Sequence, residues 1–297
     1  VTGAQHPQGA FTEAARADER AALVTVLAGA SPGAKLLVRP DGSRLGSLGD
    51  GELDDIAAAH ADELMWAERS ENRAAGDTLL FVDVTFPPPR LFVFGAVDFA
   101  VQLCRIARVV GWRPFVVDPR ARFAQPQRFP DAEEVVAAWP EEAFARLGGI
   151  DRATAIAVLT HDPKLDDAAL QIAVRSDAGF IGAMGSRRAQ ARRRERLLAL
   201  GVTEAELARV SAPVGLDLGA LTAEETALSV IAEIVAMRHG RAGGRLADAK
   251  GRIHDVGDSP GGSSLGGSAP AGAPGTGGDG AEPPAGGGSA SDPARAG

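Results

Sequence analysis

The residues with the clearest chemical potential in this sequence are Gly185-Ser186-Arg187-Arg188. A Gly-Ser pair that opens a helix turns unpaired backbone N–H groups toward an incoming anion, and two guanidinium groups act on the same phosphate. Thr160-His161-Asp162 supplies a hydroxyl, an imidazole and a carboxylate in succession. Such groups move protons or bind a ligand hydroxyl or amide. A simpler role competes there, since Asp162 and Asp166 also stand where caps of the following helix are expected, and for Asp166 capping is the preferred reading. Arg192, Arg193, Arg194 and Arg196 continue the basic helix but read as a solvated face, so only Arg187 and Arg188 count as ligand-binding. No Ser-His-Asp, His-Glu-x-x-His or P-loop pattern occurs, and the five histidines lack metal-ligand spacing. No catalytic residue and no metal site is assigned.

A second constellation centres on Gly95. Leu91-Phe92-Val93-Phe94-Gly95 is a short apolar run ending in glycine, a helix-length amphipathic segment follows to Gly111, and Trp112 to Asp118 is a second apolar run closed by a carboxylate. In such a strand–turn–helix–strand unit the glycine turn and helix N-terminus can receive a pyrophosphate, and the carboxylate about twenty residues on can bond a ribose hydroxyl. The fingerprint is incomplete. Gly95 and Ala100 fill the first and third places of G-x-G-x-x-G/A, but Val97 fills the second, where a branched side chain obstructs a pyrophosphate. NAD or NADP is therefore disfavoured, and a Rossmann-type sheet that has kept the fold without the ligand stands beside any nucleotide-like reading.

To bring these stretches together the chain must build a parallel sheet, because ligands of open α/β sheets sit outside the C-terminal ends of the strands. Those ends are expected at Gly95, Asp118, Thr160-His161-Asp162 and Gly182-Ala183-Met184-Gly185-Ser186. Thr154–Thr160 and Gly179–Gly182 read as strands; Leu165–Arg175 and the segment from Ser186 to Leu200 read as helices, with a short one near Glu204. A helix is expected from about Asp131, and Thr222 with Glu225 forms a capping box that opens another, to about His239. Upstream, strands are expected at Ala22–Leu27, Lys35–Arg39, Arg44–Leu48 and Thr78–Val84, with a helix over Glu52–Glu68. Pro87-Pro88-Pro89 is a stiff linker. The expected organisation is a small β-rich α+β domain over residues 1–86 and a Rossmann-like, doubly wound parallel sheet over 90–240. Residues 241–297 read as a disordered tail, whose Gly/Pro/Ser/Ala composition cannot bury enough apolar surface to offset ordering.

Composition narrows the partners. With 297 residues and 45% hydrophobic content the chain can bury a substantial core. A net charge of −8 and a pI near 5.2 speak against nucleic acid or an anionic membrane as partner. The one cysteine, Cys104, excludes an intramolecular disulfide framework and reads as a buried structural thiol. Without a membrane-length apolar window or a signal segment, a cytoplasmic protein is expected.

Taken together, the strand-end motifs resemble the XdhC/CoxI family of xanthine dehydrogenase accessory factors. The resemblance rests on Val158-Leu159-Thr160-His161-Asp162-Pro163-Lys164-Leu165-Asp166, Ile181-Gly182-Ala183-Met184-Gly185-Ser186-Arg187-Arg188, Ala212-Pro213-Val214-Gly215-Leu216-Asp217-Leu218-Gly219 and Arg128-Phe129-Pro130-Asp131-Ala132. It spans roughly residues 90–240, and the upstream Ser31-Pro32-Gly33-Ala34-Lys35 and Gly46-Ser47 extend it in part. Departures lie at Gly49-Asp50-Gly51-Glu52, where the family carries a Gly-Gly-Cys turn, and at Val97-Asp98-Phe99, where it usually has Gly-His-Val. The family's second cysteine turn is missing too.

The resemblance implies a chaperone that holds the molybdenum cofactor transiently, assists its sulfuration and hands it to a molybdenum hydroxylase apoenzyme, with a cysteine desulfurase as a further partner and a homodimer left open. Molybdopterin pairs a phosphate with a pterin ring that offers amide-like edges. Its candidate binding residues are Gly95, Asp98, Asp118, Thr160, His161, Asp162, Gly182, Gly185, Ser186, Arg187, Arg188, Gly215 and Asp217. Binding without turnover agrees with the absence of a nucleophile–base pair. Two other readings stand beside it: an NAD(P)-dependent oxidoreductase using Gly95 and Asp118, and a ligand-free interaction protein.

Overall fold

A computed structural model describes residues 6–249 of the chain. The stretch expected to be a tail begins within these residues and, from Lys250 on, lies outside them. The chain opens on α1 (Pro7–Arg16), where Pro7 suits the first helical turn and the His6 ring accepts the Gln8 N–H. There follow β1 (Ala21–Ala28), β2 (Lys35–Val38), β3 (Arg44–Ser47), α2 (Gly51–Ala67), β4 (Glu71–Ala75) and β5 (Thr78–Thr85). These strands form an antiparallel sheet in the order β3-β2-β1-β5-β4. Strand alternation gives it two buried faces: Ala22, Val24 and Val26 pack under α2, while Ala21 and Leu23 pack with Phe11 of α1.

The second half runs β6 (Arg90–Phe94), α3 (Asp98–Val109), β7 (Arg113–Val117), β8 (Glu134–Val136), α4 (Pro140–Leu147), β9 (Ala155–Val158), α5 (Pro163–Ala173), β10 (Phe180–Ala183), α6 (Arg187–Ala199), α7 (Glu204–Leu207), β11 (Val210–Ser211) and α8 (Ala223–Arg238). Its sheet is parallel throughout, ordered β11-β10-β9-β6-β7-β8. That is the strand order of doubly wound dinucleotide-binding folds, and it reverses between β6 and β9. Both faces are covered, so strands are apolar on both sides. Phe92 and Phe94 of β6 pack toward α4 and α5, with Phe92 edge-on to Phe115, while Leu91 and Val93 pack toward α3 and α8.

Three elements depart from the sequence expectation. The helix expected from Asp131 is absent; Glu134–Val136 pairs with β7 instead, and the helix starts at Pro140. Asp131 and Glu133 imitate an acidic helix opening, but Glu133 is occupied by Arg108 and Arg113. The strands β4 and β11 were not expected. Glu71-Asn72-Arg73-Ala74-Ala75 has no apolar alternation and is held by its hairpin partner β5, and β11 is only two residues long.

One bridge joins the end of α2 to the end of α8. Glu68 stops α2 in the left-handed conformation, φ 52°, which usually goes to glycine. Its carboxylate accepts from Arg20 at 2.9 Å on one oxygen and from Arg238 on the other. Arg20 and Arg238 lie over the rings of Trp66 and Trp112, respectively. Beside the bridge lies a groove of about 550 Å³, walled by Phe86, Pro88, Val110, Trp112 and Val235.

Candidate functional site

At the switch point the loops after β6 and β9 touch. Gly95 has φ +113°, and a Cβ there would run into Thr160 Cγ2. The glycine is therefore required by the close approach of two loops as well as by the turn. Val97 caps α3 without a side-chain hydrogen bond and packs, half-buried, against the core.

Asp118, at the end of β7, is fully buried and spends both oxygens within the chain. It accepts from the Ala96 N–H at 2.9 Å, from the Arg120 N–H at 2.9 Å, and from the Arg120 guanidinium at 2.8 and 2.7 Å. Burial alone would raise this carboxyl, but the bonds from Arg120 and from the Ala96 N–H outweigh it and hold it below the ordinary value. The Ala96 carbonyl is used too, by Arg128 at 3.1 Å, and Arg128 also holds Asp98 at 2.7 Å. The turn that dinucleotide folds leave open to phosphate is thus satisfied from inside, and Asp118 is committed to that turn rather than turned toward a ribose.

The loop after β9 carries the densest polar network. Asp162, not Asp166, caps α5, accepting the Lys164 N–H at 3.0 Å. Asp166 lies one turn into the helix, 2% exposed, where the Thr160 hydroxyl donates to it and Arg193 reaches it at 2.6 Å. Burial lifts the Asp166 carboxyl above its ordinary value despite those bonds. Arg193 is itself only 5% exposed. It donates in addition to the Met184 carbonyl at 3.1 Å and to the Gln190 side chain. Arg196 pairs with Asp167 at 2.6 Å. Arg193 therefore does not belong to a solvated face, whereas Arg196 pairs with Asp167 while its side chain stays 37% exposed, and the capping role expected of Asp166 is not the one it has. A local signal exists for both misses. Asp166 shares its helix face with buried Ala169, Leu170 and Ala173, and Arg193 shares its face with buried Leu197.

At the end of β10 the Ser186 hydroxyl caps α6 by accepting the Ala189 N–H at 3.3 Å. Arg187 and Arg188 stand exposed in the first helical turn, without an ion pair among the described residues. Gly185, φ +133°, makes the turn, and Gln190 bonds back to the Ala183 carbonyl at 3.1 Å. Gly182 has no room for a Cβ, which would meet Val214 and Phe180. Gly215 gives its N–H to Glu233, while Asp217 and His161 are exposed. The structure thus links the β6, β7, β9 and β10 loops into one edge. Exposed on it, without an ion pair among the described residues, are the Arg187 and Arg188 guanidiniums and the His161 ring. Among the described residues no group of three or more His, Cys, Asp or Glu could hold a metal ion.

Residues 91–234 match the family model described as the XdhC Rossmann domain, and residues 14–77 match that of the XdhC and CoxI family. The chain belongs to the XdhC and CoxI family. It is 28% identical over 258 residues to the uncharacterized protein YqeB of Escherichia coli, covering 80% of this chain and 47% of that protein. It is 32% identical over 161 residues to a probable xanthine dehydrogenase subunit of Bacillus subtilis, covering 54% and 46%. A third relative, the molybdenum cofactor insertion chaperone PaoD of Escherichia coli, is 28% identical over 263 residues, 73% of this chain and 82% of PaoD. The chain spans about half the length of YqeB and of the Bacillus subtilis protein. A crystal structure of a xanthine dehydrogenase from Bacillus halodurans shares the fold, with a TM-score of 0.56 at 23% identity over 78% of this chain and 66% of that one. In this XdhC-family chain the linked strand-end edge falls wholly inside the matched Rossmann stretch. No helix among the described residues is long and apolar enough to cross a membrane.

Proposed function

We propose that the chain is an accessory factor in the maturation of a xanthine dehydrogenase- or CO dehydrogenase-type molybdenum hydroxylase, and that it holds molybdenum cofactor as cargo for the apoenzyme. The observation that carries this reading is the similarity to a molybdenum cofactor insertion chaperone along most of both chains. The site agrees chemically. Arg187 and Arg188 beside the α6 N-terminus suit the phosphate end of the cargo. Asp162, His161 and Asp217 suit the amide-like edge of a pterin. Cys104 is buried in α3, where its sulfur cannot serve as a ligand, so cargo is held through its anion and ring edges, and any sulfuration draws on a partner such as a cysteine desulfurase.

The test replaces Arg187 and Arg188 together by Ala and measures binding of molybdenum cofactor and its transfer to an apo-hydroxylase. Loss of two charge-assisted contacts should weaken binding by about 2–4 kcal/mol. Binding as tight as that of the parent would sink this assignment of the site.

A further inference from the structure

Arg193 turns inward from the basic α6 helix to a buried carboxylate. Its side chain is 6% exposed and that of Asp166 is 3% exposed, and their pairing is only part of a longer chain of bonds. Thr160 donates its hydroxyl to Asp166 and accepts the Asp162 N–H at 3.2 Å. Arg193 joins Asp166 to the Met184 carbonyl and to Gln190, and Gln190 donates to the Ala183 and Gly185 carbonyls. The path therefore starts in the loop after β9 and ends in the backbone of the Gly185 turn. A buried charge pair rarely adds to stability over an apolar pair of the same volume. A planar guanidinium is, however, suited to hold a carboxylate, a carbonyl and an amide side chain in one fixed geometry.

We infer that Arg193 is a positioning residue that locks the Gly185–Arg188 anion loop to the Thr160–Asp162 loop, so that occupancy of one end of the site is felt at the other. The inference rests on the proposed site. Arg193 touches no ligand; it acts through Asp166, Gln190 and the Met184 carbonyl. A lysine at this position keeps the charge but cannot make the fork of bonds.

The experiment uses the full chain and inorganic pyrophosphate as probe. Titration calorimetry of the parent comes first, and a parent that shows no saturable binding overturns the proposed anion site itself. With the parent binding, Arg193→Lys should weaken pyrophosphate at least about tenfold at a temperature where its circular dichroism spectrum still matches that of the folded parent. The exposed neighbour Arg192→Lys serves as control and should bind like the parent. Arg193→Lys binding as tightly as Arg192→Lys overturns the inference and leaves the site intact. Hydrogen exchange on the unaltered protein gives a reading independent of any variant. Pyrophosphate should slow exchange in the Thr160–Asp162 loop as well as at the start of α6, and protection confined to α6 overturns the coupling.

Discussion

Gly95→Ala separates two reasons for a glycine at the switch point. At φ +113° an L side chain is strained by about 1–3 kcal/mol. The new Cβ would also run into Thr160 Cγ2 and stand 3.3 Å from the Thr160 backbone nitrogen. Overpacking of that kind costs about 1–3 kcal/mol more. The expected loss is therefore about 2–6 kcal/mol of unfolding free energy, read from urea denaturation of the full chain. The second variant is the diagnostic one. Thr160→Ser removes Cγ2 and keeps the hydroxyl that donates to Asp166. In that background Gly95→Ala should be milder by about 1–3 kcal/mol. A penalty equal in the two backgrounds, within about 0.5 kcal/mol, would refute the close-packing account and leave the turn conformation as the sole cause.

Two further outcomes follow from buried groups. Cys104 is fully buried, and burial first, with Asp131 adding to it, pushes the thiol up to about 12. A disulfide-exchange reagent should label it only after denaturation, and rapid labelling of the folded chain would contradict the packing of α3. Asp118 has its carboxyl held low by Arg120 and the Ala96 N–H against the pull of burial. Its contribution to stability is fully present above the ordinary carboxylate value of about 4 and is lost as pH falls below it. Asp118→Asn should flatten the fall of Tm on acidification below about pH 4, and an unchanged acid slope would count against these bonds. Asp166, raised by burial, runs the opposite way and is untouched by that change.

Much of this architecture is written in local pattern. Apolar runs closed by Gly95, Asp118 and Thr160 end strands of one parallel sheet, and the Thr222/Glu225 capping box is present with both of its reciprocal bonds. Cys104 is buried, as a lone thiol on an apolar helix face should be. What local pattern does not contain is the partner of a polar side chain. Asp166 and Arg193 are 27 positions apart, and helical spacing puts each on a buried face without pairing one to the other. Asp118 shows the same gap: its place at a strand end is legible, but its service to Ala96 depends on the β6–α3 turn folding against β7. The strand β4 was invisible because its hairpin partner, rather than its own residues, makes it a strand.

The self-satisfied turn after β6 bears on the proposed role as a cofactor carrier. Proteins whose sites are completed by a ligand lose folding free energy each time that ligand departs. Here the Ala96 N–H and carbonyl already have Asp118 and Arg128 as partners. Neither group needs a ligand as its partner, so departure of a ligand from this edge would orphan neither. A carrier built on such a turn can be loaded and emptied through many rounds without refolding between them.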